Sequence, residues 1–171
     1  MPISANTLFH FTRSYDTLVS ILNSKFYPRV CVEEQVMPEV FSYKFGIPMV
    51  CFCDIPLSQI SEHVSKYGEY AIGLKKDWAI RQGISPVLYV HDKSIIPQII
   101  IKELSKINTK GQHQKEEMEH MLFLMQSLMM MKPYEVKKTS GGEAVRYYDE
   151  REWRYIPPFK FPSETNFIID D

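Results

Sequence analysis

The chain is poor in every feature that marks a membrane, disulfide-stapled or phosphate-coating protein. No apolar run reaches the roughly 18 residues that cross a bilayer; the longest candidate, MLFLMQSLMMM, is broken by Gln126 and Ser127. The opening MPISANTLFHFT has neither the basic start nor the long apolar centre of a signal peptide. Three cysteines, an odd number, argue against a disulfide framework and point to a reduced cytoplasmic setting. A formal net charge of −1 lacks the basic excess of a dedicated phosphate binder. There is no Gly-rich dinucleotide fingerprint, internal repeat or low-complexity linker.

What is present is an ordinary globular balance. The chain has 171 residues, 44% hydrophobic and 24% charged, enough for one compact domain with a sizeable core. Ten Phe, ten Tyr and two Trp make wholesale disorder a poor description. LFHFT reads as a short strand. Ser14 opens a helix over SYDTLVSILNSK, and FYPRVCVEEQ reads as extended chain. A loop carrying Pro38, Gly46 and Pro48 is expected next, then a buried strand, PMVCFCD. LSQISEHVSKYG predicts a helix stopped by Gly68, with Leu57, Ile60, Val64 and Tyr67 as its stripe. YAIGLKK and PVLYV predict strands on either side of a short helix, DWAIRQG. From Asp92 to about Lys132 the pattern is helical, and Met118, Met121, Leu122, Met125, Leu128 and Met129 recur at helical spacing. A Met-rich stripe of this kind is core or a partner face before it is a cofactor box. YEVKK, a turn at Ser140-Gly141-Gly142, AVRYY and EWRYIP return to strands. Strands, a helical insert and more strands predict an α+β fold, not a regular parallel array.

Four groups of residues could carry chemistry. His10 and Thr12 share one face of the first strand, either as a satisfied structural pair or as a donor at the base of a cleft. Cys51 and Cys53 share a strand face. With Cys31 and His63 they supply zinc-type ligands, but C-x-C without a second tight pair reads more simply as buried, reduced thiols. Asp54, ahead of Ile-Pro-Leu, reads as a helix cap. Tyr67 and Tyr70 bracket Gly68-Glu69 and are either core packing or a wall for a planar ring. In YYDEREWRYIP, period-two reading puts Glu150, Glu152 and Arg154 on one side. Two carboxylates there need compensation from solvent or from Arg154. Exposed charge alternation is the simpler reading; a pair held into a cleft is the functional one.

The phrases LFHFTRSYDTLVSIL, IPMVCFCDIPLS, HVSKYGEYAIGLKKDWA, ISPVLYV and DEREWRYIP resemble the AbiGi family of phage abortive-infection proteins, over most of the chain outside the helical insert. That resemblance implies an antitoxin component of an antiphage system, acting beside a toxin partner. The order of motifs also resembles the ADP-ribosyltransferase-like fold, a single domain with a split, mostly antiparallel sheet. This second resemblance implies NAD as substrate and no metal, with ADP-ribose transferred to a protein or nucleic-acid acceptor. It assigns Glu152 as the catalytic glutamate and Glu150 as the extra acid of a Glu-x-Glu pair. His10 and Thr12 would hold the ribose or nicotinamide side, Tyr67 or Tyr70 would stack on nicotinamide, and Arg13 or Arg154 would meet the pyrophosphate. Cys53 stands where that pattern has a serine. The expectation from these residues is that His10, a tyrosine and Glu152 converge on one cleft. The rival expectation is a non-catalytic antitoxin that binds its partner, with the Met-rich helix as contact face. A zinc-bound regulatory domain is a third.

Overall fold

The computed structural model describes residues 6–37, 41–91, 93–107, 115–136 and 144–158. In chain order the elements are β1 (Thr7–Thr12), α1 (Tyr15–Ser24), β2 (Arg29–Met37), β3 (Phe41–Cys53), α2 (Ser61–Tyr67), β4 (Tyr70–Lys75), α3 (Lys76–Arg81), β5 (Ser85–Pro86), β6 (Leu88–Val90), α4 (Ile95–Lys106), α5 (Lys115–Met129), β7 (Met131–Pro133), β8 (Glu135–Val136), β9 (Val145–Arg146) and β10 (Glu152–Tyr155). The main sheet runs β4-β1-β3-β10-β5, with β2 also paired to β3. Its ladders are all antiparallel; β6 and β7 form a separate parallel pair. The α+β expectation and a helical insert, α4 and α5, both hold.

Several boundaries differ from the sequence reading, and LSQISEHVSKYG is helical in its second half only, after a separate 3-10 turn at Leu57–Gln59. β3 runs straight through Gly46 and Pro48, where a loop was expected; Pro38 and the Ser140-Gly141-Gly142 turn lie outside the described residues. Pro48 is tolerated because β10 pairs with β3 only from Val50 onward, so no β10 partner asks for its missing N–H. Gly46 lets the hairpin close, since a Cβ there would stand 2.6 Å from Val30 Cγ1. PVLYV is not one strand: β5 pairs with β10, Val87 N–H donates to the Glu152 carbonyl, and β6 leaves to pair with β7. The insert ends in β7, read from sequence as the end of the helical run, so Lys132 sits on a strand.

Alternation along the strands sorts side chains cleanly onto two faces. The registers Phe9↔Cys53, Cys53↔Glu152 and Cys51↔Arg154 place Phe9, Phe11, Cys51, Cys53, Glu152 and Arg154 on one. Leu8, His10, Phe52, Trp153 and Tyr155 fall on the other. That second face carries the main apolar core, in which Leu8, Val50, Phe52, Ala79 and Ile84 pack with Phe26, Trp78 and Trp153.

Candidate functional site

β10 carries the site into the sheet. Its residues alternate as read from the sequence: Glu152 is 7% exposed and Arg154 0%, while Trp153 and Tyr155 join the apolar core. The alternation does not extend back to Glu150. Tyr147–Glu150 forms a 3-10 turn, and Arg151 takes a left-handed conformation at φ 46°, which ends the turn before β10 begins. Glu150 therefore reaches the same site from a turn, not from the strand face. The reading of YYDEREWRYIP as exposed charge alternation is also corrected, since its inner charges are buried and fully engaged.

The partners come from distant elements. Arg154 Nε donates to Glu152 Oε1 at 2.5 Å, its Nη1 to the Met129 carbonyl at 2.7 Å, and its Nη2 to both carboxylate oxygens of Glu33 at 2.8 Å. Lys132 Nζ, from β7, donates to Glu150 Oε2 and Glu152 Oε2, each at 2.6 Å. Tyr67, at the end of α2, donates its hydroxyl to Glu150 Oε1 at 2.9 Å. Burial alone would raise the Glu152 pKa; Arg154 and Lys132 overcome it and hold that carboxyl down to about 2. Burial would likewise lower the Lys132 pKa, but Glu152 and Glu150 push it above its ordinary value.

Gly68 fixes where α2 ends and hence where Tyr67 points. Its φ is +117°, and a Cβ there would lie 2.3 Å from the Thr12 carbonyl oxygen, so only glycine fits. The helix presses His63, not the expected Leu57, into the molecule: His63 is 6% exposed and Leu57 66%. Above the charges, Phe9, Phe11, His63 and Tyr67 wall a cavity of about 210 Å³, with Lys132, Glu150 and Glu152 among its lining.

The expected convergence does not occur. Glu152, Glu150, Tyr67 and Cys53 meet at this cavity. His10 is on the opposite face, where it packs edge-on against Phe26 and its Nδ1 donates to the Cys51 carbonyl at 2.7 Å. Burial lowers its pKa, as suits a neutral structural imidazole. Thr12 pairs with Tyr70 on that same face, and Tyr70 lies against Tyr15. The period-two rule that joined His10 to Thr12 is thus the rule that parts both from Glu152. Arg154 is wholly buried among its carboxylates and cannot reach a pyrophosphate. Arg13 donates to the Lys66 carbonyl at 2.8 Å. Cys51 and Cys53 do share a face; burial pushes the Cys51 thiol up, and the Cys53 thiol up to about 12, so neither is a thiolate nucleophile at neutral pH. Among the described residues no three His, Cys, Asp or Glu side chains are gathered as a metal requires. Asp54 is not a helix cap; it pairs with Lys76 at 2.6 Å.

Sequence reasoning missed Lys132 and Glu33 and gave His63 only a zinc role. Lys132 offered a signal: a single lysine between Met131 and Pro133 at the end of an apolar helix asks for a buried acid.

Fold and site together define an α+β protein whose central sheet buries a Glu–Arg–Glu–Lys–Glu chain beneath an aromatic pocket. No solved structure matches it. The chain belongs to the AbiGi family: the family model described as putative abortive phage resistance protein AbiGi, antitoxin, matches residues 24–170. The abortive phage resistance protein AbiGi of Lactococcus lactis subsp. cremoris is 36% identical, over 72% of this chain and 55% of that protein. The chain thus spans about half the length of this curated relative. The family match places the chain among abortive phage-resistance proteins. No described helix is long and apolar enough to cross a membrane.

Proposed function

We propose that this chain works by binding and not by group transfer, as an antitoxin that neutralises a toxin protein by direct contact. The observation that carries the reading is the engagement of Glu152, whose two carboxylate oxygens face Arg154 and Lys132. A carboxylate that stabilises a ribosyl cation must present negative charge to its substrate. Here that charge is already balanced within the protein, and the histidine that would hold the far side of NAD lies across the sheet. Among the described residues, transfer of ADP-ribose to a protein or nucleic acid therefore has no assembled site to support it. The family's description as an antitoxin supports the binding reading.

The helical insert supplies a contact surface. α4 leaves Ile95, Ile96 and Ile99 exposed, with Ile95 and Ile99 one turn apart, and α5 leaves Phe123 and Met125 exposed. Exposed apolar side chains gathered into one patch mark protein contacts, whereas scattered single ones are ordinary surface. Leu124 and Met129, in contrast, turn inward, so the Met-rich stripe divides between core and surface. Co-expression with a growth-arresting product of a neighbouring gene tests the reading. Ile99→Asp and Phe123→Asp, with unchanged circular dichroism, should abolish growth rescue and co-purification. Rescue by both variants at wild-type level overturns the surface.

A further inference from the structure

We propose that the cavity walled by Phe9, Phe11 and Tyr67 takes one uncharged aromatic side chain, a phenylalanine or tyrosine, from the protein this chain binds. The proposal rests on the binding reading above and adds a second contact, carried by the sheet and α2 instead of α4 and α5.

Aromatic surface outside the core is the first reason. Phe9, Phe11 and Tyr67 belong to none of the three apolar clusters of the described residues, which are built on Leu8, Val90 and Ile47. Their rings gather around the cavity instead, and the His63 ring bridges two of them, 6.1 Å from Phe11 and 5.4 Å from Tyr67 between centroids. Behind them Cys51 and Cys53 line the cavity as protonated thiols, because burial raises their pKa, and they act there as small apolar groups. Apolar walls facing water favour an apolar occupant that displaces it.

Size is the second reason. About 210 Å³ exceeds the roughly 150 Å³ that admits benzene and falls short of the roughly 300 Å³ of a drug-sized site, so one ring is the unit that fits. The polar lining is the third reason, and it decides between a side chain and a free metabolite. Sites for small molecules aim a few polar groups at the ligand to fix its orientation. Here the Tyr67 hydroxyl is given to Glu150, and Lys132 bridges Glu150 to Glu152, whose other oxygen accepts from Arg154. These groups turn toward one another, so a metabolite gains little orientation from them, and a charged ligand would lose water without a new partner. A side chain needs no such handle, because its own backbone holds it. A desolvated aromatic anchor in a pocket is a common centre of a protein contact.

Calorimetric titration of this chain with N-acetylphenylalaninamide, N-acetylalaninamide, nicotinamide and adenine tests the pocket by itself. The expected result is saturable binding of the phenylalanine derivative and none of the alanine one at the same concentration. Phe11→Ala should weaken that binding by about tenfold through loss of a wall, and Tyr67→Ala carries the test if Phe11→Ala fails to fold. Ile99→Asp and Phe123→Asp should leave it unchanged, which separates the pocket from the helical surface. Co-purification with the neighbouring gene product tests the source of the ring, and the same pocket variants should diminish it. No binding of the phenylalanine derivative, equal binding of the alanine one, undiminished binding by both pocket variants, or tighter binding of nicotinamide or adenine overturns the proposal while the binding reading still stands on its rescue assay. Undiminished co-purification by variants that have lost the phenylalanine derivative overturns the partner's side chain as occupant. A wild-type chain that binds the derivative but no neighbouring gene product overturns the binding reading and the proposed occupant together.

Discussion

The two faces of one sheet follow opposite rules. On the α1 and α3 side, β1, β3 and β10 present Leu8, Phe52 and Trp153 to an apolar core, and His10 is a guest satisfied by a backbone carbonyl. On the α5 side, the same strands present Cys51, Cys53, Glu152 and Arg154, and beside a smaller apolar cluster of Ile47, Met49 and Met129 ion pairs reach in from β2 and β7. Apolar packing degrades gradually, since each lost methylene removes a similar increment. A buried charge chain degrades in larger steps, because removing one member strands in low dielectric any partner that lacks a second counter-charge. The difference predicts where single substitutions are severe and where they are mild.

Arg154→Met should have the largest effect. It leaves Glu33 and Glu152 without their buried cation and should cost about 3–5 kcal/mol, read as a fall in Tm of about 10 °C. Glu152→Met added to Arg154→Met should recover part of that loss, since an apolar pair strands less charge. If the double variant is as unstable as the sum of the singles, the chain is not coupled.

Acid should act next, and on the charged face first. The Glu152 pKa is lowered from 4.5 to about 2 in the folded state. Its contribution is therefore complete above about pH 4.5 and is lost as pH falls toward 2, about 3 kcal/mol in all. A urea midpoint that is flat from pH 5 to 2 would contradict this. Lys132→Met follows at about 2 kcal/mol, milder because Arg154 still compensates Glu152 while Glu150 keeps only the Tyr67 hydroxyl. Thermal melts rank it against Arg154→Met. His10→Phe is the smallest, about 1 kcal/mol for one lost hydrogen bond to the Cys51 carbonyl. Its thermal melt should lie closest to that of wild type, because one hydrogen bond is all that is lost. A loss as large as that of Lys132→Met would contradict the ranking of the two faces.

The sequence made the apolar face legible and the charged face only half so. Period-two alternation in EWRY gave the correct orientation of Glu152, Trp153, Arg154 and Tyr155, and the Ser14 cap marked α1 correctly, with its hydroxyl accepting from Thr17 N–H. Both follow from rules that act over a few residues. The charge chain does not: Arg154 meets Glu33 across 121 residues and Lys132 meets Glu152 across 20, separations that no local pattern encodes. The failed convergence of His10 with Glu152 has the same origin. Motif order put both at one cleft but said nothing about which face of the sheet each would take. A one-residue change of register decides that, and Phe9, not His10, is the residue opposite Cys53.

The direct measurement is incubation of this chain with radiolabelled NAD, the neighbouring gene product proposed as its toxin partner, and host protein and nucleic acid, for wild type and Glu152→Gln. The account predicts no label on any acceptor from either protein, while wild type forms a stable complex with the toxin. Label transfer by wild type that disappears in Glu152→Gln would contradict it, and would make Glu152 a catalytic carboxylate instead of a structural tie.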